Sequence, residues 1–581
     1  MTNLLASVQV KVEGSQLDAA LASRIIEIKV EDNLLHPDAF TIRIDDPQLE
    51  HMDSNPLTIG ANVEVLFEKP GEQADTGSTS LKSVIKGQVT ALEPEFTEHG
   101  VVIVARGYDG SHALNRSKRT KTYQDMTYGD IARQVISGAD GGFSAGTVDD
   151  AGGVHPFVQQ NNETDWDFLW RLASRIDNEV VAEDKKIHFR KASASRPAAP
   201  ELEYGRNLHN FRPRVTGVQQ IDEVTVRGWN PKTKEAIVGN AHAGDVEGAL
   251  GAKIGIDHSK VRSSLNGGKV LVADLTPTSQ AEADAIAKSV MAQHANAYLD
   301  ATGVASGDPE LRAGRKVQIK KIGTQFSGEY TLFSTVHRFN QSKGYMTHFV
   351  ISGRTARGLL DLFTPAPQRS FGGSSIVIGR VTNNKDPDNL GRVRIKYPAL
   401  GDDTEGAWAR ISSGSSGKDR GILMMPQPDE EVLIGFEHDD PRKPFVLGSV
   451  WNGKDTPGDL VQTDGSFVLQ SDQKTNVKSK DQISVKSDKE MYVETKGEIS
   501  QKSKDKITLN ADTEIDAKSK KIVIDADVDI ELSANSKVTI TAHGKLSLKG
   551  DAGIDVQGAG GISLQGSKIS LAAGSISLGP G

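Results

Sequence analysis

No cysteine occurs in the 581 residues, and that absence excludes disulfides, thiolate catalysis and Cys-ligated zinc together. All stability must come from packing and assembly. The 14 histidines are scattered, with no HxH or HExxH spacing, so each reads as an ordinary surface or core residue and no metal or other cofactor is expected. No window approaches roughly 18 apolar residues, the length that crosses a bilayer as a helix. Residues 1 to 14 show neither a basic start with an apolar run nor a cleavage site, which predicts synthesis in the cytoplasm without a signal peptide. The net charge of −9 is spread without long like-charge blocks, which argues against nucleic acid as a main partner. Proline is missing between Pro457 and Pro580, as continuous β-ladders require.

What fills that proline-free stretch is a repeat. From Phe467 onward apolar residues recur as i, i+2 pairs about every eight residues: FVLQSDQK, TNVKSKDQ, ISVKSDKE and so on through 15 registers, three of them one residue short. An i, i+2 pair lies on one face of a strand, while Ser, Asp, Lys and Gly between pairs supply bends and a solvated face. One row of Ile, Val and Leu cannot enclose a core, and a lone strand leaves its edges unpaired. Eight residues are also few for a coil of a single-chain β-solenoid. Three chains about one axis would turn the rows inward and pair every strand with another chain. The expected core of this trimeric β-prism is Ile483, Val485, Ile507, Leu509, Ile522, Ile524, Val538, Ile540, Leu546, Leu548, Ile562, Leu564, Ile576 and Leu578. At a strand spacing near 4.8 Å the rod would be roughly 70 Å long. Its 17 acids and 16 lysines from Val461 onward nearly cancel.

The preceding chain reads as mainly β. VQVKVEG, RIIEIKVED, FTIRIDD, NVEVLFEK, LKSVIKGQVTALEPEF and GVVIVARGYD alternate apolar and polar residues, which suggests a barrel, with 68–80 as a mobile turn. A basic cluster follows, Arg116, Lys118, Arg119 and Lys121; without interleaved aromatics it reads as a solvated or partner-facing surface. Helices are predicted to start at Thr127 with Asp130, at Thr164 with Asp167, and at Ser279 with Glu282, each a capping arrangement. Phe168, Leu169, Leu172 and Ile176 form the apolar stripe of the second, with Trp166 and Trp170 one turn apart in packing roles. Residues 376–455 hold five alternating strands, the strand count of an OB-fold barrel. The predicted domains are 1–363, a linker at 364–375, the barrel at 376–455, a linker at 456–466 and the repeat at 467–581.

GRVTNNKDPDNLGRVRIKYPAL, WARISS and GILMMPQPDEEVLIGFEHDDPRKPFVLGSVWNG resemble the barrel of the VgrG and phage cell-puncturing spike family. HALNRSKRTKTYQDMTYGDI, FVQQNNETDWDFLWRLA and GEYTLFSTVHRFNQSKGYMTHF resemble its hub. The resemblance implies a homotrimeric spike of a contractile injection machine, with a hub of two tube-like barrels and helical insertions. Six such barrels in a trimer would match a sixfold inner-tube protein. It further implies baseplate neighbours, a separate spike-tip protein and transient contact with a target envelope. A tip protein would sit near Ser575, Ile576, Leu578 and Gly579. Only about ten residues, KDTPGDLVQT, separate the barrel from the repeat, leaving no room for the muramidase that phage spikes carry there. This compact form is similar to the spike of extracellular or cytoplasmic phage-tail-like particles of the antifeeding-prophage and virulence-cassette type. A type VI secretion spike or a phage baseplate spike is the alternative. Two readings of other classes are a glycan-binding fibre adhesin and a cell-wall hydrolase. No carboxylate pair or nucleophile–base set supports the hydrolase, so no enzyme activity is expected.

Overall fold

The structure is a computed structural model of one chain and describes residues 8–73, 79–98, 100–150, 153–183, 185–192, 200–218, 220–249, 252–351, 376–398, 405–572 and 574–577. It divides into two units, Met1–Gln470 and Ser471–Gly581. The expected linker 364–375 lies outside the described residues, as do Leu578 and Gly579.

The first unit is built on an 11-stranded sheet that draws strands from both ends of the expected hub. Alternation sets its faces: in Ala39–Asp45, Phe40, Ile42 and Ile44 are buried while Thr41 and Arg43 are only partly so. Ser334–Asn340 pairs antiparallel with Ile25–Asn33, which stitches the late strands to the early ones. The sheet serves two cores. One gathers Ile28, Val65, Phe67 and Ile103, the other Tyr298, Val317, Tyr330 and Phe349. The segment expected as a turn at 68–80 is shorter than expected, because Asn62–Gln73 and Thr79–Thr97 form hairpin arms that still pair at Gln73 and Thr79. Backbone pairing carries the arms onward through residues whose composition reads as loop.

Two insertions hang from this sheet, each with its own core. The helix Tyr128–Gly138 starts where Thr127 Oγ1 accepts from Asp130 N at 3.1 Å, and Asp165–Arg175 where Thr164 Oγ1 accepts from Asp167 N at 3.1 Å. Phe168, Leu169, Leu172 and Ile176 pack with Trp166 in one core. Trp166 Nε1 also donates to the Leu35 carbonyl at 3.0 Å, tying the insertion to the large sheet. The helix Gln280–Asn296 is capped by Ser279 and packs on Ile221–Asn230 and Glu235–His242. Its alanines permit very close approach. A Cβ at Gly239 would fall 2.3 Å from the Ala283 backbone, so only glycine fits there.

Five strands then close into a barrel in the order Val377–Asn383, Val393–Lys396, Glu405–Ile411, Pro444–Ser449, Glu431–Phe436. Val381, Val393, Ile395, Tyr397, Val432, Ile434 and Val446 fill it. Its first loop is clamped by Arg392, which donates to Asp386 at 2.7 Å and to Asp388 at 2.6 Å.

In the second unit the described residues, 471–572 and 574–577, form bends at intervals of about eight residues and no helix or strand. The expected strands find no partner within the chain. Among these described residues a single backbone pair bonds, Gly561 N to Gly558 O at 3.1 Å.

Candidate assembly surfaces

The repeat presents its apolar pairs to solvent along its whole described length. All thirteen described members of the predicted core, from Ile483 to Ile576, are exposed in the single chain, between 52% for Ile507 and 72% for Val485. Ser575 and Ile576 of the predicted tip seat are exposed too. Monomeric proteins rarely expose apolar patches of more than a few hundred Å². Here an unpaired backbone runs beside the apolar rows, so two unmet demands, burial and hydrogen bonding, coincide in one segment.

The bends have a chemistry that the apolar pattern alone does not reveal. Ser471, Ser479, Ser487, Thr495 and Ser503 stand eight residues apart, and each hydroxyl accepts from the backbone N–H two residues on, at 3.1 to 3.4 Å. These Ser/Thr turns fix the bend from inside the chain. Further along, the same position is taken by Ala511, Ser519, Ala526, Ala534 and Ala542, then by Gly550, Gly558 and Gly566, and Ser519 Oγ donates to the Lys521 carbonyl at 2.7 Å. A Cβ at Gly550 would lie 2.2 Å from the Gly553 carbonyl oxygen, and Gly553 itself has φ +147°. The bends are therefore held by hydroxyls at the near end, and at Gly550 the close approach admits only glycine.

In the first unit, charge is gathered into buried clusters. Asp32, Asp38 and Asp109 share a cavity of about 400 Å³ with Arg312. Arg312 pairs with Asp32 and, at 3.2 Å, with Asp38. Burial pushes the Asp38 carboxyl well up and raises Asp109 to about 6, whereas the Arg312 guanidinium outweighs burial at Asp32 and lowers it.

 The basic cluster is divided by the fold: Arg119 turns to Asp140 and Asp165, Lys121 lies over the Tyr123 ring at 5.3 Å, and Arg116 meets His112 at 2.8 Å. It does not form one continuous binding stripe. Among the described residues no group of three or more His, Asp or Glu side chains could hold a metal ion.

The sheet-based first part of the chain is matched by a family model described as the Alg8 N-terminal domain, over residues 2–341. The chain belongs to this family. In this Alg8-family chain a second model, described as the type VI secretion system/phage-baseplate injector OB domain, matches residues 377–451, which contain all five barrel strands. The type VI secretion system spike protein VgrG5 of Pseudomonas aeruginosa is 30% identical over 135 residues, 22% of this chain and 17% of the relative. The actin cross-linking toxin VgrG1 of Vibrio cholerae is 25% identical over 167 residues, 26% of this chain and 15% of the relative. The matched stretch thus spans about a sixth of the length of these curated relatives. Among solved structures, the E. coli c3393 protein, described as a type VI secretion component similar to the phage T4 tail proteins gp27 and gp5, aligns at 12% identity. Its TM-score is 0.45, covering 76% of this chain and 99% of that one.

Proposed function

We propose that the chain is the central spike of a contractile, phage-tail-like injection particle, acting as a homotrimer. The hub, 1–363, would present two tube-like barrels per chain to a sixfold inner tube. The OB barrel would pass the load on, and residues 467–581 would form a triple-stranded β-helix that pierces the target envelope. One observation carries this reading: a described run of more than a hundred residues, 471–572, has its apolar pairs exposed and its backbone almost wholly unpaired. Both demands are met if three copies wind together, because every strand then gains neighbours and every row faces the axis. Stiffness follows from the same arrangement, since bending the rod would break many interchain hydrogen bonds at once.

The work in this reading is mechanical and needs neither a cofactor nor a reaction. Baseplate proteins and a separate tip protein near Ser575 and Ile576 are the further partners it assigns. The particle would assemble in the cytoplasm and act there or outside the cell. The similarity to VgrG proteins fits a type VI spike equally well. Electron microscopy of particles from cells making a tagged chain tests the reading. Label at the tip of a sheathed tube is the expected result; label on isolated fibres at the cell surface favours an adhesin. Clearing in a cell-wall zymogram would restore the hydrolase.

A further inference from the structure

The barrel and the hub read in sequence as separate domains joined by a linker, yet a buried charge cluster spans them. Arg442 lies in the barrel connection between Glu431–Phe436 and Pro444–Ser449. Its guanidinium donates to Glu282 Oε1 at 2.7 Å, to both oxygens of Asp440 at 2.8 to 3.1 Å, and to the Thr276 carbonyl at 3.2 Å. From the hub side, Arg175 donates to the same Glu282 oxygen at 3.2 Å, as does the Tyr128 hydroxyl at 3.3 Å. The other Glu282 oxygen accepts from Thr278 N at 2.9 Å and Thr278 Oγ1 at 2.8 Å. Two carboxylates and two guanidiniums balance in charge, and Glu282, Asp440 and Arg442 are almost wholly removed from water.

Backbone conformation on both sides is adapted to this contact. Thr276, a β-branched residue, is held at φ +37°, and its hydroxyl donates to Asp440. His438 and Asp439 in the barrel connection also have positive φ, 49° and 58°. Such conformations persist only where the surroundings over-determine them. Other polar contacts between barrel and hub, Arg394 to Gln124 at 2.7 Å and Lys232 to Asp388 at 2.6 Å, involve partly or largely exposed groups. Exposed pairs contribute little and are screened by salt, whereas removing one member of a buried network leaves uncompensated charge.

We propose that Arg442 is the positioning residue that locks the barrel to the hub as one rigid body. Through Glu282 it fastens the barrel to the first turn of the helix Gln280–Asn296, whose Ala283 and Ile286 sit in the core beneath that helix. Axial thrust on the hub therefore reaches the barrel without depending on the linker. The transmission of thrust rests on the spike reading; the joint itself does not.

The test places a protease recognition site within 364–375 of the full chain, cuts the folded protein, and follows the two fragments by size-exclusion chromatography and gel. Uncut mass reports oligomeric state separately, so failure of the joint and failure of the trimer are distinguishable. Wild-type fragments are expected to co-elute at low salt and at about 1 M salt, where exposed pairs are screened. Arg442→Met is expected to weaken fragment association at least ~100-fold, because it leaves Glu282 and Asp440 facing each other without their shared guanidinium. Lys232→Ala with Arg394→Ala should weaken it less than ~10-fold. Arg442→Lys, which keeps the charge but not the planar fork, should rescue partly. Should Arg442→Met not fold, Asp440→Asn, which replaces the barrel carboxylate on Arg442 by a neutral amide with one accepting oxygen, serves as the second variant with the same expected direction. Separation of wild-type fragments after cutting, or equal co-elution of the Arg442 or Asp440 variants with wild type at every salt concentration, overturns the proposal.

Discussion

At the scale of single residues the two units use opposite means of stabilisation, and single substitutions should separate them. Ile507 is 52% exposed in one chain, yet in a trimeric rod three copies would meet at one level of the axis. Ile507→Asp would then bury three unpaired carboxylates, at a cost on the order of 3 kcal/mol or more per chain. Proteolysis and calorimetry should show the repeat loosened and the first unit unchanged; parental behaviour in both would show that Ile507 is not in a core. Glu282 gives a pH signature in the first unit. Burial would raise its pKa, but Arg442 and Arg175 outweigh burial and hold it at about 2 against an ordinary 4.5. A depressed carboxylate stabilises the fold above the unfolded value and loses that contribution as pH falls from about 4.5 toward 2. Glu282→Gln should therefore cost about 3 kcal/mol at pH 7, and the gap to wild type in urea midpoints should close as pH drops through that window. A gap independent of pH would show that Glu282 is not held charged by its arginines.

At the scale of elements, legibility followed from whether the contact was local. Thr127, Thr164 and Ser279 each cap a helix that the sequence pattern already places, because the capping bond spans only three residues. The five barrel strands were legible for a similar reason: alternation is read along one strand, and the short barrel closes without distant insertions. By contrast, nothing local couples Ser334–Asn340 to Ile25–Asn33, so the continuous 11-stranded sheet was not visible. Glu282 was legible only as a capping residue, since its partner Arg442 lies 160 positions away. In the repeat the apolar pairs were plain, and the turn chemistry at the fifth position was hidden among polar filler. Those turns can be tested as a set. Ser479→Ala, Ser487→Ala and Ser503→Ala together should lower the melting of the repeat by a few tenths of a kcal/mol to ~1 kcal/mol per turn, leaving the barrel unaffected. An unchanged melt would mean that interchain pairing alone sets the bends.

At the scale of the whole molecule, one chain leaves the repeat incomplete. The first unit gathers buried apolar residues into five cores. The repeat forms no such core, and 37% hydrophobic residues in a chain of this length partly reflect a segment with about two apolar positions in eight. The proposed spike would need this asymmetry, with a base that folds within each chain and a shaft formed between chains. The most direct measurement is the mass of the purified full-length protein by light scattering. Three times 62.4 kDa is the predicted result, while a stable, folded species of 62.4 kDa would contradict the shared shaft and the spike built on it.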